Sequence, residues 1–277
     1  LAAGDRRNVI DRYRYWTMDA IVADLDQHRH AFHVAIENWQ HDMNIGSIVR
    51  SANAFLATKI TFINEIADLC EDLGADAMQV AEGMGLDARI GARFLQPGPG
   101  YGGSCFPKDT KALLATGRAA GSRLRVVEAA EAANAERKRL LAARVAGAMG
   151  EVSGRTVAVL GLAFKAGTDD LRESPLVELA EMLIGKGYEL RIFDSNVEYA
   201  RVFGANKEYI ESKIPHVSSL LCKELDEVVS QSDVLIIGNG EKRFAEVMNS
   251  VGDDKQIVDL VGFMAHATQA NKEGICW

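Results

Sequence analysis

Between residues 51 and 73, apolar side chains recur at Phe55, Ile60, Ile63, Ile66, Ala67 and Cys70. This spacing of mostly about 3.6 residues predicts a long buried helix that stops at Gly74, with a shorter helix after it. Residues 108–121 and 123–150 predict two more helices, the second long, rich in Ala and Glu, and able to pack on a partner. Beyond Gly154 the pattern changes. Short apolar runs at 156–162, 189–194, 233–240 and 256–262 alternate with helical periodicity at 174–187, 224–231 and 241–251. Such alternation predicts a parallel sheet covered by helices, with right-handed crossovers and a ligand crevice at the carboxyl ends of the strands. The first strand runs into GLAFKAGTDD (161–170), which lacks the G-x-G-x-x-G of a standard dinucleotide site.

Composition narrows the class. The chain has 277 residues, 48% of them hydrophobic and 25% charged, which fits an ordinary globular protein with a well-buried core and not a disordered one. A net charge of −8 provides no overall basic field for nucleic acid, although the first fifty residues are rich in Arg and His. Four cysteines lie far apart with no C-x-x-C pair, and no signal peptide or long apolar run is evident. A reducing cytoplasm with free thiols is therefore expected, with no metal site and no membrane span.

The stretch PGPGYGGSCFPKD (97–109) sets Cys105 after a run of glycines. Two readings stand: a nucleophile displayed by a tight loop, or a small core residue beside a turn. The glycines favour a backbone that must approach something closely.

The segments ANAFLATKITFINEIADLC, GLDARIG, FLQPGPGYGGSCFPKDTKALL and FKAGTDDLRESPLVELAEML resemble the UDP-glucose/GDP-mannose dehydrogenase family over residues 51 to 277. The chain from about residue 165 to EGICW is most similar to the GDP-mannose branch, and the glycine loop to the UDP-glucose branch. The resemblance implies an α/β protein: a helical central domain followed by a Rossmann-like doubly wound parallel-sheet domain. It also implies NAD-dependent oxidation of a sugar-nucleotide C6 hydroxyl to a carboxylate, through a cysteine thiohemiacetal and thioester. Cys105 takes the nucleophile's place. Asp109, Lys108 and Asn53 match residues that activate, neutralise or hold the reacting groups. Arg89, Phe94, Tyr101, Gly102, Gly103 and Lys165 match substrate contacts, Arg172 matches a cofactor contact, and a homodimer is implied. Without the resemblance, Cys70 reads as core filler, Arg172 and Glu173 as a cap or pair near Pro175, and Asn53 as a solvated helix residue.

The sequence also departs from the family. Only about fifty residues precede the central helix, and they carry no glycine fingerprint, so the NAD-binding Rossmann domain is expected to be missing. The family's lysine four residues before the helix asparagine is replaced by Val49, with Arg50 beside it. Residues 1 to about 55, with Asn44 and Arg50, resemble the start of a SpoU-type RNA methyltransferase. Three segments are thus expected: 1–50, 51–150 and 151–277. Impaired dehydrogenase activity is the first reading, and a noncatalytic mosaic or RNA-binding fragment the second.

Overall fold

The computed structural model of the protein describes residues 17, 20, 42–149, 156–197, 215, 217–252, 254–262 and 272–274. Apart from Thr17 and Ala20, the methyltransferase-like stretch lies outside the described residues up to residue 41. From Val49 onward the chain forms one compact unit, which contains every site residue discussed below.

Helix α1 runs Asp42–Leu73, longer than the apolar periodicity alone predicts, because residues 42–50 contain no proline to break it. Its buried face, which includes Ile63, Ala67 and Cys70, packs with the short helix α2 (Ala77–Gly85) and with Leu95. Asp76 caps α2 by accepting from the backbone of Met78 and Gln79. Helix α3 (Phe106–Ala119) follows the glycine loop with Pro107 in its first turn, where a missing N–H costs nothing. Helix α4 spans Arg125–Met149.

The sheet consists of β1 (Thr156–Leu160), β2 (Glu189–Phe193), β3 (Val234–Ile237), β4 (Gln256–Asp259) and β5 (Lys272–Gly274), in the order β2-β1-β3-β4-β5 and parallel throughout. The first four match the predicted apolar runs, whereas KEG at β5 carries no apolar signal and pairs only because β4 offers an edge. Helix α5 (Pro175–Gly185) and the C-terminal half of α4 cover one face through Leu141, Val145, Met149, Leu176, Leu179 and Leu183. The other face holds α7 (Leu225–Ser230) and α8 (Lys242–Ser250) through Leu225, Val228, Phe244 and Val247; a single turn, α6 (Val217–Leu220), precedes α7. This is the expected doubly wound arrangement. Helix α4 thus joins the two regions: one half packs on the sheet, the other reaches the glycine loop. No described helix is long and apolar enough to cross a membrane.

Candidate active site

Cys105 ends the glycine loop as the N-cap residue of α3, exposed, with Sγ 3.8 Å from Ser104 Oγ. Cys70 is buried in the helical core, as filler should be. Asp109 lies one turn into α3, its N–H donating to the Cys105 carbonyl, so the two side chains share a helix face. The Asp109 carboxylate is buried; Asn53 of α1 donates to its Oδ2 at 2.6 Å, and Lys108 Nζ lies 3.6 Å from its Oδ1. A thiol, a carboxylate, an amide and an ammonium are therefore gathered at one helix start.

Aromatic rings flank that start. Phe106 meets Phe94 edge-on at 5.7 Å and Tyr101 at 6.2 Å. Phe94 holds φ +62°, a strained conformation for a bulky residue and of the kind that concentrates at functional sites. Tyr101 is buried and donates to Glu131 Oε2 at 3.1 Å; burial first, then the Glu131 charge, raises its pKa. Its ring is thus held from behind by Glu131.

The loop is fixed by side chains that the sequence reading did not single out. Asn134 of α4 accepts from Tyr101 N at 2.8 Å and donates to Tyr101 O at 3.1 Å, which closes a reciprocal pair with the backbone. Arg137 donates to Gly98 O at 2.7 Å, and Asn64 of α1 accepts from Gly98 N at 2.9 Å. The signal for Asn134, Arg137 and Lys138 was their polarity in an Ala-rich helix, where all three turn out to be buried.

The same loop interlocks with residues 164–174. A Cβ on Gly102 would lie 2.4 Å from the Glu173 carbonyl oxygen, and one on Gly103, at φ +82°, 2.7 Å from the Phe164 ring. Only glycine fits either place. Gly103 N donates to Arg172 O at 2.8 Å, and Ser104 N to Asp170 Oδ2 at 3.2 Å. Glu173, at φ +53°, is clamped by Lys138, whose Nζ donates to its carbonyl at 2.8 Å and to Glu178 Oε1 at 3.0 Å. Lys111 also reaches Glu173, at 3.2 Å, while Ser174 caps α5. Arg172 is forked onto Asp170 at 2.8 and 2.9 Å, and lies within electrostatic reach of Cys105.

The remaining expected residues are placed as follows. Lys165 is exposed, its Nζ over the Phe164 ring at 5.4 Å, and so neighbours the loop through Gly103. Arg89 stands on a separate exposed turn, paired with Asp87 at 2.6 Å. Val49 is exposed on α1 and Arg50 half-buried, at the places read against the family's lysine. Among the described residues, no three His, Cys, Asp or Glu side chains gather as a metal site.

The chain matches the central-domain model of the UDP-glucose/GDP-mannose dehydrogenase family over residues 36–136 and that family's UDP-binding-domain model over 158–266. The chain belongs to this family. It is 52% identical over 229 residues to a GDP-mannose 6-dehydrogenase of Pseudomonas aeruginosa, covering 82% of this chain and 52% of that one. It is 46% identical over 189 residues to a UDP-glucose 6-dehydrogenase of Rhizobium meliloti, covering 68% and 40%. Among solved structures, a ternary complex of GDP-mannose dehydrogenase from Pseudomonas aeruginosa matches at TM-score 0.61 and 50% identity, over 82% of this chain and 52% of that one. A UDP-glucose dehydrogenase from Pyrobaculum islandicum matches at TM-score 0.73 and 28% identity, over 95% and 57%. This family member spans about half the length of the curated relatives it matches.

The family implies NAD, and the turn after β1 tests the fit. Asp194 Oδ2 accepts from both Leu162 N at 2.8 Å and Ala163 N at 2.9 Å. The backbone donors that would cradle a pyrophosphate there are taken, and the carboxylate repels a second anion. That turn does not fit the dinucleotide's pyrophosphate.

Proposed function

We propose that this chain carries the thiol-bearing and sugar-nucleotide-binding part of an NAD-dependent 6-dehydrogenase, with GDP-mannose as the sugar nucleotide. The observation that carries this reading is the exposed Cys105 thiol at the start of α3, one turn from an Asp109 carboxylate held by Asn53. The longer match to the GDP-mannose relatives supports the choice of sugar.

The covalent steps fall to this chain. Cys105 Sγ adds to the C6 aldehyde carbon, and the thiol proton passes to the aldehyde oxygen, giving a thiohemiacetal. A nicotinamide cofactor would supply the acceptor for the hydride whose loss, with a proton, takes the thiohemiacetal to a thioester; water then adds to that carbon, the C–S bond breaks, sulfur recovers a proton and the sugar carboxylate leaves. Asp109, anchored by Asn53, is placed to orient the water, and Lys108 to neutralise charge beside it. Phe94, Tyr101, Gly102, Gly103 and Lys165 line the approach, and Arg172 supplies positive charge near the thiol. Arg89 belongs to a different part of the substrate path, reached across a second subunit. That homodimer is supported by Phe55, Phe62 and Leu69, exposed at seven-residue spacing along α1. No described side chain favours the RNA-binding alternative, which rests on the basic N-terminus alone.

The test is alkylation by iodoacetamide, followed by mass spectrometry, with and without GDP-mannose. Cys105 should label faster than Cys70 and be protected by the sugar nucleotide. Equal labelling of the two thiols, or indifference to GDP-mannose, would sink the proposal.

A further inference from the structure

Lys59 of α1 sends its ammonium into the turn that follows α2. Nζ donates to the carbonyls of Ile90 at 2.9 Å, Gly91 at 3.0 Å and Arg93 at 2.6 Å. An ammonium has three N–H groups, and all three are matched. Three carbonyl dipoles aimed at one point repel one another unless a positive charge stands between them, so the shape of this turn depends on that charge. Two further contacts close the same turn. A Cβ on Gly85 would fall 2.9 Å from Ala92 Cα, and Leu95 is buried in one cluster with Ile63 and Ala81.

Between the Arg93 carbonyl and Leu95 stands Phe94, at φ +62°. That angle is the rotation of Phe94 relative to the Arg93–Phe94 peptide plane, and Lys59 holds the oxygen of that plane. A bulky residue persists in such a conformation only where its surroundings over-determine it, and here the lysine fixes one side and the buried Leu95 the other. The ring is thereby aimed edge-on at Phe106, the residue after Cys105. We propose that Lys59 is a positioning residue of the thiol site: its ammonium holds the 90–93 turn so that the Phe94 ring stands at the start of α3, where the sugar nucleotide reaches Cys105. The inference rests on the sugar-nucleotide reading above. Helix α1 also bears Asn53, so one rigid element sets both the partner of the Asp109 carboxylate and the flanking ring.

The experiment compares the full chain with Lys59→Met, Phe94→Gly and the double variant. Methionine nearly matches the length of lysine but donates no hydrogen bond, and glycine tolerates positive φ while removing the ring. Two quantities are read: the rate of trypsin cleavage after Arg93, and the GDP-mannose concentration that half-protects Cys105 from iodoacetamide. In Lys59→Met, cleavage should speed up about tenfold and half-protection should need about tenfold more GDP-mannose, the order expected when an aromatic contact leaves a ligand site. Phe94→Gly should raise the half-protecting concentration similarly, and adding Lys59→Met to it should raise it no further, because the lysine acts through the ring. Additive effects on protection, unaltered cleavage or unaltered protection in Lys59→Met overturns the positioning role alone. Failure of Lys59→Met to fold also overturns it, since the lysine would then hold up the helical core and not the turn. Failure of GDP-mannose to protect Cys105 in the unaltered chain overturns the sugar-nucleotide reading, and the positioning role falls with it.

Discussion

Asn53 on α1 and Asp109 on α3, 56 residues apart in sequence, are joined by a 2.6 Å hydrogen bond from Nδ2 to Oδ2. Asp109 is buried, so the amide serves as its second polar neighbour besides Lys108. A double-mutant cycle of Asn53→Ala and Asp109→Ala should give a coupling of about 1.5 to 3 kcal/mol in denaturant unfolding, the range for hydrogen bonds to charged groups. Additive effects would show that the pair does not act as a unit.

Lys138 of α4, whose side chain adjoins Gly100 of the glycine loop, anchors the loop before α5. Its ammonium, with the side chain 5% exposed, bonds the carbonyl of a residue at positive φ and the carboxylate of Glu178. Lys138→Met should destabilise the fold by about 3 kcal/mol, near the low end for breaking a buried ion pair, because Glu178 keeps some water. Gly102→Ala should approach the same loss by forcing its Cβ into the Glu173 carbonyl. Thermal melts of both variants check this. Wild-type melting in either would refute the interlock.

The Asp170 carboxyl gives the protein an acid-sensitive joint. Burial pushes its pKa up, but hydrogen bonds from the Arg172 side chain and backbone, and the Arg172 charge, outweigh burial and hold it below the ordinary aspartate value. A folded-state pKa below the unfolded one means that the stabilisation is fully present above about pH 3.9 and is lost as pH falls through the depressed value. Asp170→Asn should lower stability at neutral pH and flatten the acid limb of the stability curve. An acid limb of unchanged slope would disprove the linkage.

Phe55, Phe62 and Leu69 leave a stripe of large apolar side chains on α1, with exposures of 61%, 46% and 52%. Phe62→Glu should convert a dimer to a monomer in sedimentation at tens of micromolar, with little change in monomer stability, since the ring covers no described core cluster. A wild-type chain that sediments as a monomer would remove the stripe's proposed role and the cross-subunit place of Arg89.

The sequence alone determined β1 to β4, α5, α7, α8 and the long helices, because the periodicity that specifies each is local and strong. Cys105 and Asp109 were paired only by the family resemblance, because the periodicity starts the helix at residue 108; the observed start at Phe106, with Cys105 as N-cap, is what sets them one turn apart. Tertiary structure decided the rest. Asn134, Arg137 and Lys138 look like a solvated stretch of α4 until the glycine loop upstream and the Glu173 loop downstream, 33 to 39 residues away, wrap over them. The φ +53° of Glu173 and the three carbonyls that converge on Lys59 also have no sequence signature. Each depends on which backbones the packed sheet and helices press together, and a one-dimensional pattern of apolar and polar residues does not encode those distances.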